Sequence, residues 1–279
     1  MINKCNRLSD FLIVGSMKAG TTSLRHWLVQ SKSIAMQPYE IGFFTNDSWY
    51  YKGSNKYSDL LPDAFSDQII GDDTPTYSFL DHVPYRIYKI IPSVKILWIL
   101  RDPLERAISH YWHNCRKGFE TRDINTAFLD QLNGVKENIW QKKYLLRSCY
   151  YEQIDRYLKY FYKDQVHFID FRRFINEDLE ELKDITNFLG IDFINKSVPH
   201  ANKTYFYPRS YVNLLLSKTI FSKKKKYKIR FYTGYRKQNI PVLSEYIKDE
   251  LIDYFNCKNK GIFSLTGISF QNSDNNRNT

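Results

Sequence analysis

The sequence predicts an α/β fold: a single domain with a central parallel sheet flanked by helices. Three observations carry this. Strand-like segments alternate with helix-like ones along the chain. The strongest strand segment, VKILWIL at 94–100, is an unbroken apolar run, as a strand buried on both faces requires. The first strand-like segment passes through glycines straight into a helix, FLIVGSMKAGTTSL at 11–24. No repeat or linker divides the chain, so one domain is expected over 1–269, with 270–279 as a polar, disordered tail.

The elements follow in order. Asp10–Val14 reads as a short buried strand. Thr21–Gln30 is a helix with Leu24, Trp27 and Leu28 on one face. Ile34–Met36 is a short strand leading into QPYEIGFF, and the polar, tyrosine-rich 45–67 is loop with a short helix. Gln68–Gly71 is the next strand, followed by the turn-rich DDTPTY. Pro84–Ile91 is helical and Pro92 ends it. After the strand at 94–100, Pro103 suits the first turn of a helix, and two more helices are expected around 124–135 and 147–161. Val166–Asp170 is a strand, and Glu177–Leu189 an amphipathic helix closed by Gly190. Basic loops and helices make up the rest, notably Leu243–Phe255.

Composition narrows the class. At 279 residues and 43% hydrophobic, the chain can bury a sizeable core, yet no stretch reaches the length of a membrane span. The first residues lack a signal-peptide pattern, so a cytoplasmic protein is expected. The four cysteines form no C-x-x-C pair and no H-E-x-x-H occurs, so neither a disulfide scaffold nor a metal site is expected. A net charge of +11 favours anionic partners: nucleotides, acidic polymers or a lipid surface. No nucleic-acid-binding motif is present. Much of the excess sits in Lys223–Lys226, Lys228 and Arg230, which read as a solvated loop or helix face.

Ligands of an open parallel sheet gather at the carboxyl ends of its strands. Three segments fall there: SMKAGTTS, QPYEIGFF and RDPLERAIS. In the first, Gly15 and Gly20 have the spacing of a phosphate-binding P-loop, but the lysine is Lys18, before the second glycine instead of after it. The backbone N–H groups of Ala19, Gly20, Thr21, Thr22 and Ser23 open a helix, a place suited to phosphate, with Lys18 beside the ligand. The plainer alternative is a tight turn with a surface lysine. In the third segment, Arg101 can grip a second phosphate bidentately, with Ser109, eight residues on, adding a hydrogen bond. The alternative is an arginine that only caps the sheet edge. Arg106 reads as exposed or structural.

Together these segments resemble the sulfotransferases that use 3′-phosphoadenosine-5′-phosphosulfate (PAPS), a family with a P-loop-like fold. KAGTTSL at 18–24 matches that family's 5′-phosphosulfate loop, K-x-G-T-T/S-x-L, and the segment from Ile99 matches its 3′-phosphate segment, R-N/D-P-x-x-R-x-x-S. The resemblance implies that Lys18 neutralises charge on the bridging and leaving oxygen, that residues 19–23 cradle the 5′-phosphate, and that Arg101 and Ser109 hold the 3′-phosphate, with no metal. Glu40-Ile41-Gly42-Phe43-Phe44 is similar to the E-x-H/Q-F-F of the heparan sulfate sulfotransferases, departing at Gly42. It implies Glu40 as the base that deprotonates the acceptor. A carboxylate among these aromatics is expected to have a raised pKa.

GDDTPTY at 71–77 resembles that branch's G-E-K-S/T-P-x-Y with Asp73 in place of the lysine, so the lysine's role does not carry over. SCYYEQIDRYLKYF at 148–161 places Tyr150 and Gln153 at matching positions, with simple packing as the alternative for Tyr150. NKTYFYPRS at 202–210 resembles the late loop that closes over the 3′-phosphate, which makes Lys203, Tyr207 and Arg209 candidates. The resemblance ends near residue 210. The implied reaction is sulfuryl transfer from PAPS to a hydroxyl or amine of a glycan, glycolipid or small hydroxylated metabolite. The basic C-terminal third would suit an anionic or membrane-linked glycan through peripheral membrane contact.

Two rivals remain at this point. A P-loop kinase or NTPase lacks its lysine here, and its nearest magnesium-binding candidate is Asp102. A non-catalytic basic module binding an acidic polymer fits the charge alone. A histidine base would have to be His82, His110 or His113, none of which fits a motif as Glu40 does.

Overall fold

The computed structural model describes residues 7–137, 140–201, 207–234 and 240–270. The chain groups into two compact units, one of Met1–Arg101, Tyr150–Asn202 and Gly261–Ser269, the other of Asp102–Cys149, Lys203–Lys260 and Phe270–Thr279.

The first unit holds a five-stranded sheet: β1 (Phe11–Gly15), β2 (Ile34–Met36), β3 (Ile69–Asp73), β4 (Lys95–Leu100) and β5 (Val166–Asp170), in the order β2-β3-β1-β4-β5. Every pairing is parallel, with Phe11 beside Gly71 and Lys95, and Trp98 beside Phe168. The apolar runs of β1 and β4 lie at the centre because they alone can be covered on both faces. On one face Phe11, Ile13, Leu97 and Ile99 pack with Leu24 and Trp27 of the helix Thr21–Leu28, and with Ile185 of the helix Leu179–Leu189. On the other, Trp98 meets Tyr157 and Phe168. Each large apolar side chain buried this way contributes about 1.5–3 kcal/mol.

Two expected boundaries move for physical reasons. β3 runs on through Asp72 and Asp73, which had read as a turn; hydroxyl groups donate to Asp72 and Arg25 pairs with Asp73 inside the fold, so the strand can carry them. The helix expected from Glu177 starts at Leu179, because Asp178 caps it by accepting from the Glu181 N–H at 3.0 Å. It ends as expected at Gly190, whose φ of 76° is the left-handed C-cap.

The second unit is helical: Pro103–Lys117, Ile124–Leu132, Ser210–Ser217, Lys223–Tyr232 and Glu245–Lys258. Its core joins Trp112, Phe128, Tyr144, Leu251 and Phe255. Arg106 is fully buried and structural: it donates to Ser148 Oγ and to the Tyr144 carbonyl, both at 2.6 Å. Among the described residues no helix is long and apolar enough to cross a membrane.

Candidate active site

In the first unit, β1 and β4 are neighbours whose chain connections leave toward opposite edges of the sheet, the switch point at which such sheets bind ligands. The loop after β1 is tied to β4: the Ser16 N–H donates to the Ile99 carbonyl at 2.8 Å, and the Trp98 indole donates to Ser16 Oγ at 3.1 Å. The Ala19 N–H turns back to the Ser16 carbonyl at 2.9 Å. Lys18 adopts φ 72°, a left-handed conformation unusual for a residue with a side chain. Gly20 follows at φ 100°, and a Cβ there would lie 2.9 Å from the Phe171 ring. The helix Thr21–Leu28 then begins with no side-chain cap, so the N–H groups of its first turn are left for an anion.

Arg101, just past β4, stacks its guanidinium on Phe171 at 4.8 Å and reaches to 3.5 Å from the Lys18 carbonyl. The Tyr150 hydroxyl donates to the Arg101 carbonyl at 2.8 Å, so Tyr150 positions Arg101 and does more than fill space. Phe171 is thus a floor under both Gly20 and Arg101. Sequence reading missed it, although an aromatic directly after a strand end is a visible signal. Ser23 also has a structural contact: its buried Oγ accepts from the Ala201 N–H at 3.1 Å.

The other predicted donor residues belong to the second unit. Ser109 is half-buried on the helix Pro103–Lys117 of the second unit. Tyr207, also in that unit, packs edge-on against Trp112 at 4.9 Å, and exposed Arg209 lies 3.3 Å from the Tyr211 hydroxyl. Lys203 lies outside the described residues.

The loop after β2 carries Glu40 and is held by a hydrogen-bonded hub at the end of β3. The Gly42 N–H donates to Thr74 Oγ1 at 3.0 Å, and the Phe44 N–H to the Tyr77 hydroxyl at 3.4 Å. Thr74, Tyr77 and Tyr57 in turn donate to the Asp72 carboxylate at 3.0, 2.9 and 3.1 Å. Gly42 has φ 71°, which explains why glycine stands where the heparan sulfate branch has a larger residue. Phe43 and Phe44 are buried, Phe43 stacked on Tyr57 at 4.6 Å, whereas Glu40 is exposed. The buried rings of Phe43 and Phe44 anchor the loop, while Glu40 itself lies at the surface instead of within the aromatic core.

The raised carboxyls are its neighbours. Burial pushes Asp72 up to about 6, although three hydroxyl groups pull it down and the charge of Glu40 adds to the rise. Burial pushes Asp73 up to about 8, with Arg25 pulling it down and Glu40 and Asp72 pushing it up. Arg25 Nη1 lies 3.2 Å from Asp73 Oδ2, and both side chains are almost wholly buried. The helix Thr21–Leu28 thus sets a cation against Asp73. Sequence reading missed Arg25; its signal was a lone charge beside the apolar face of that helix.

The rival assignments find other uses for their residues. The Asp102 carboxylate caps the helix Pro103–Lys117, accepting from the Glu105 N–H at 2.9 Å. His110 is buried edge-on to Tyr144, and burial holds the His82 pKa below its usual value. Among the described residues no group of three or more His, Cys, Asp or Glu is placed to hold a metal ion.

The family model described as "Sulfotransferase domain" matches residues 8–256, most of the chain. The chain belongs to the sulfotransferase family, whose donor is PAPS. It is 34% identical over 189 residues to heparan sulfate glucosamine 3-O-sulfotransferase 5 of Mus musculus, covering 66% of this chain and 54% of that protein. It is 27% identical over 210 residues to the bifunctional heparan sulfate N-deacetylase/N-sulfotransferase 3 of the same species, covering 71% and 23%. The chain thus spans about half the length of the first of these relatives and less of the second. Among solved structures, a sulfotransferase from Alicyclobacillus acidocaldarius superposes with a TM-score of 0.66 at 20% identity, covering 95% of this chain and 98% of that one. A mouse sulfotransferase complexed with PAP gives 0.53 at 17%, covering 91% and 85%. Both have the same parallel-sheet fold.

Proposed function

We propose that the chain transfers the sulfuryl group of PAPS to a hydroxyl of a carbohydrate acceptor, with Glu40 as base. The observation that carries this is the loop at the switch point: an uncapped helix N-terminus behind Lys18, with Arg101 alongside. In the reaction the acceptor hydroxyl gives its proton to Glu40, the new O–S bond forms, and the bond from sulfur to the bridging 5′-phosphate oxygen breaks. Negative charge then grows on that phosphate, where Lys18 and the helix-opening N–H groups of the 19–23 segment would supply positive charge; the Ala19 N–H itself donates to the Ser16 carbonyl. The released product is 3′-phosphoadenosine-5′-phosphate (PAP). The family motif assigns the 3′-phosphate to Arg101 and Ser109, and the late loop adds Lys203, Tyr207 and Arg209.

The acceptor class rests on the Glu40 loop and on relatives named for heparan sulfate. Glycolipids and small hydroxylated metabolites present the same hydroxyl, and an amine acceptor would use the same base. The test is radiolabelled PAPS with heparan sulfate as acceptor, for wild type and Glu40→Gln. The variant is expected to lose transfer and keep its affinity for PAP. Loss of PAP affinity instead would place Glu40 in the donor site and overturn its role as base.

A further inference from the structure

No Asp or Glu lies between Asp192 and Glu245, while Lys and Arg recur throughout that stretch. Its described middle part is a helical hairpin, Ser210–Ser217 and Lys223–Tyr232, within the second unit. Two buried side chains fix which way the hairpin faces. Asn213 donates to the Cys115 and Glu120 carbonyls at 3.0 and 3.1 Å, and accepts from Arg230 Nε at 2.6 Å. With Asn213 and Arg230 turned inward, the opposite sides of both helices are turned to solvent.

Those outer sides are unusual in two ways. Tyr211, Leu214 and Leu215 form an exposed apolar row along the first helix, and Leu215 is 62% exposed. At the tip Ile220 is fully exposed and Phe221 stands beside it at 40%. The second helix opens with Lys223–Lys226, four cations at the end where the helix dipole is already positive. Helix stability is therefore no reason for them, and Ser222 is the cap. The two features meet where the Lys225 ammonium sits 4.0 Å over the Phe221 ring.

We propose that this hairpin docks the protein on an anionic lipid bilayer. Ile220, Phe221 and Leu215 enter the boundary between headgroups and acyl chains, and Lys223–Lys226 with Lys228 lie against lipid phosphates. Large exposed aliphatics next to a basic cluster fit a bilayer surface better than an anionic polysaccharide, which would engage the lysines and leave Leu215 and Ile220 in water. The proposal stands on this surface alone and does not depend on the identity of the acceptor.

Vesicle co-sedimentation tests it, comparing phosphatidylcholine alone with phosphatidylcholine containing phosphatidylglycerol. Wild type is expected to sediment with the anionic vesicles only. Ile220→Asp with Phe221→Asp is expected to lower that partition at least ~10-fold, as is replacement of Lys223–Lys226 by serine. These side chains are exposed apart from Lys226, which is half-buried and donates to the Thr219 carbonyl at 2.7 Å, and circular dichroism melts of each variant would check that the fold is kept. Failure of wild type to sediment with anionic vesicles would overturn the proposal. So would partition unchanged by the Ile220/Phe221 substitutions, or binding to immobilised heparin with none to vesicles.

Discussion

Two ends of the same sheet solve their tasks differently. At the β1/β4 end, the proposed donor-binding groups are chiefly backbone N–H donors and two cations, each set by the turn after a different strand. At the β2/β3 end, the groups are buried acids, hydroxyls and an arginine, drawn from four separate segments. The first arrangement needs short motifs, each placed directly after a strand, so each can be read where its strand ends. The second depends on which side chain reaches which, so one partner can be exchanged for another elsewhere. The pair of Asp73 with Arg25, which stands 48 positions earlier on another element, depends on such a meeting.

The largest effect should come from breaking the Arg25–Asp73 pair. Asp73 has a folded-state pKa of about 8, above the ordinary 3.8, so the folded state holds its proton more tightly than the unfolded chain does. Its contribution is therefore most favourable at low pH and is lost as pH rises through about 8. Arg25 offsets that loss once the carboxyl ionises. In Arg25→Met, urea denaturation is expected to show a small deficit against wild type at about pH 6, widening to about 3–5 kcal/mol near pH 9, where a buried charge has lost its partner. A deficit independent of pH would mean that Arg25 acts by packing alone.

The donor end should respond in rate. Lys18→Ala is expected to lower turnover at least ~100-fold, the effect of removing one preorganised charge from a transition state. Near wild-type turnover would remove Lys18 from the chemistry. The smallest effect separates positioning from catalysis. Tyr77→Phe removes one hydrogen bond to Asp72 and one acceptor for the Phe44 N–H. It should cost about 1 kcal/mol of stability, lower kcat and leave PAP affinity unchanged. A change in PAP affinity of the same size would tie the hub to the donor end as well.

The contrast also explains what was legible in the sequence. The strands at 94–100 and 166–170, the glycine loop and Gly190 as a cap could be read because each depends on local periodicity or a single backbone conformation. The positions of Lys18 and Arg101, each just after a strand, could be read for the same reason. β3 was cut short because two consecutive aspartates look like a turn until their partners are known; Tyr57 lies 15 residues before Asp72. The exposure of Glu40 and the floor made by Phe171 belong to the same group, since they arise from side chains meeting across elements. Arg106 was ambiguous because a buried guanidinium depends on acceptors about 40 residues away.

The central claim is that the β1/β4 end is built for PAPS and not for a nucleoside triphosphate. Calorimetric titration of wild type and Arg101→Ala with PAP, and with ATP as control, tests it most directly. The account predicts tight binding of PAP by wild type, at least ~10-fold weaker binding in the variant after loss of a charge-assisted contact, and weaker binding of ATP than of PAP. Equal binding of PAP and ATP, or PAP binding untouched by Arg101→Ala, would contradict it.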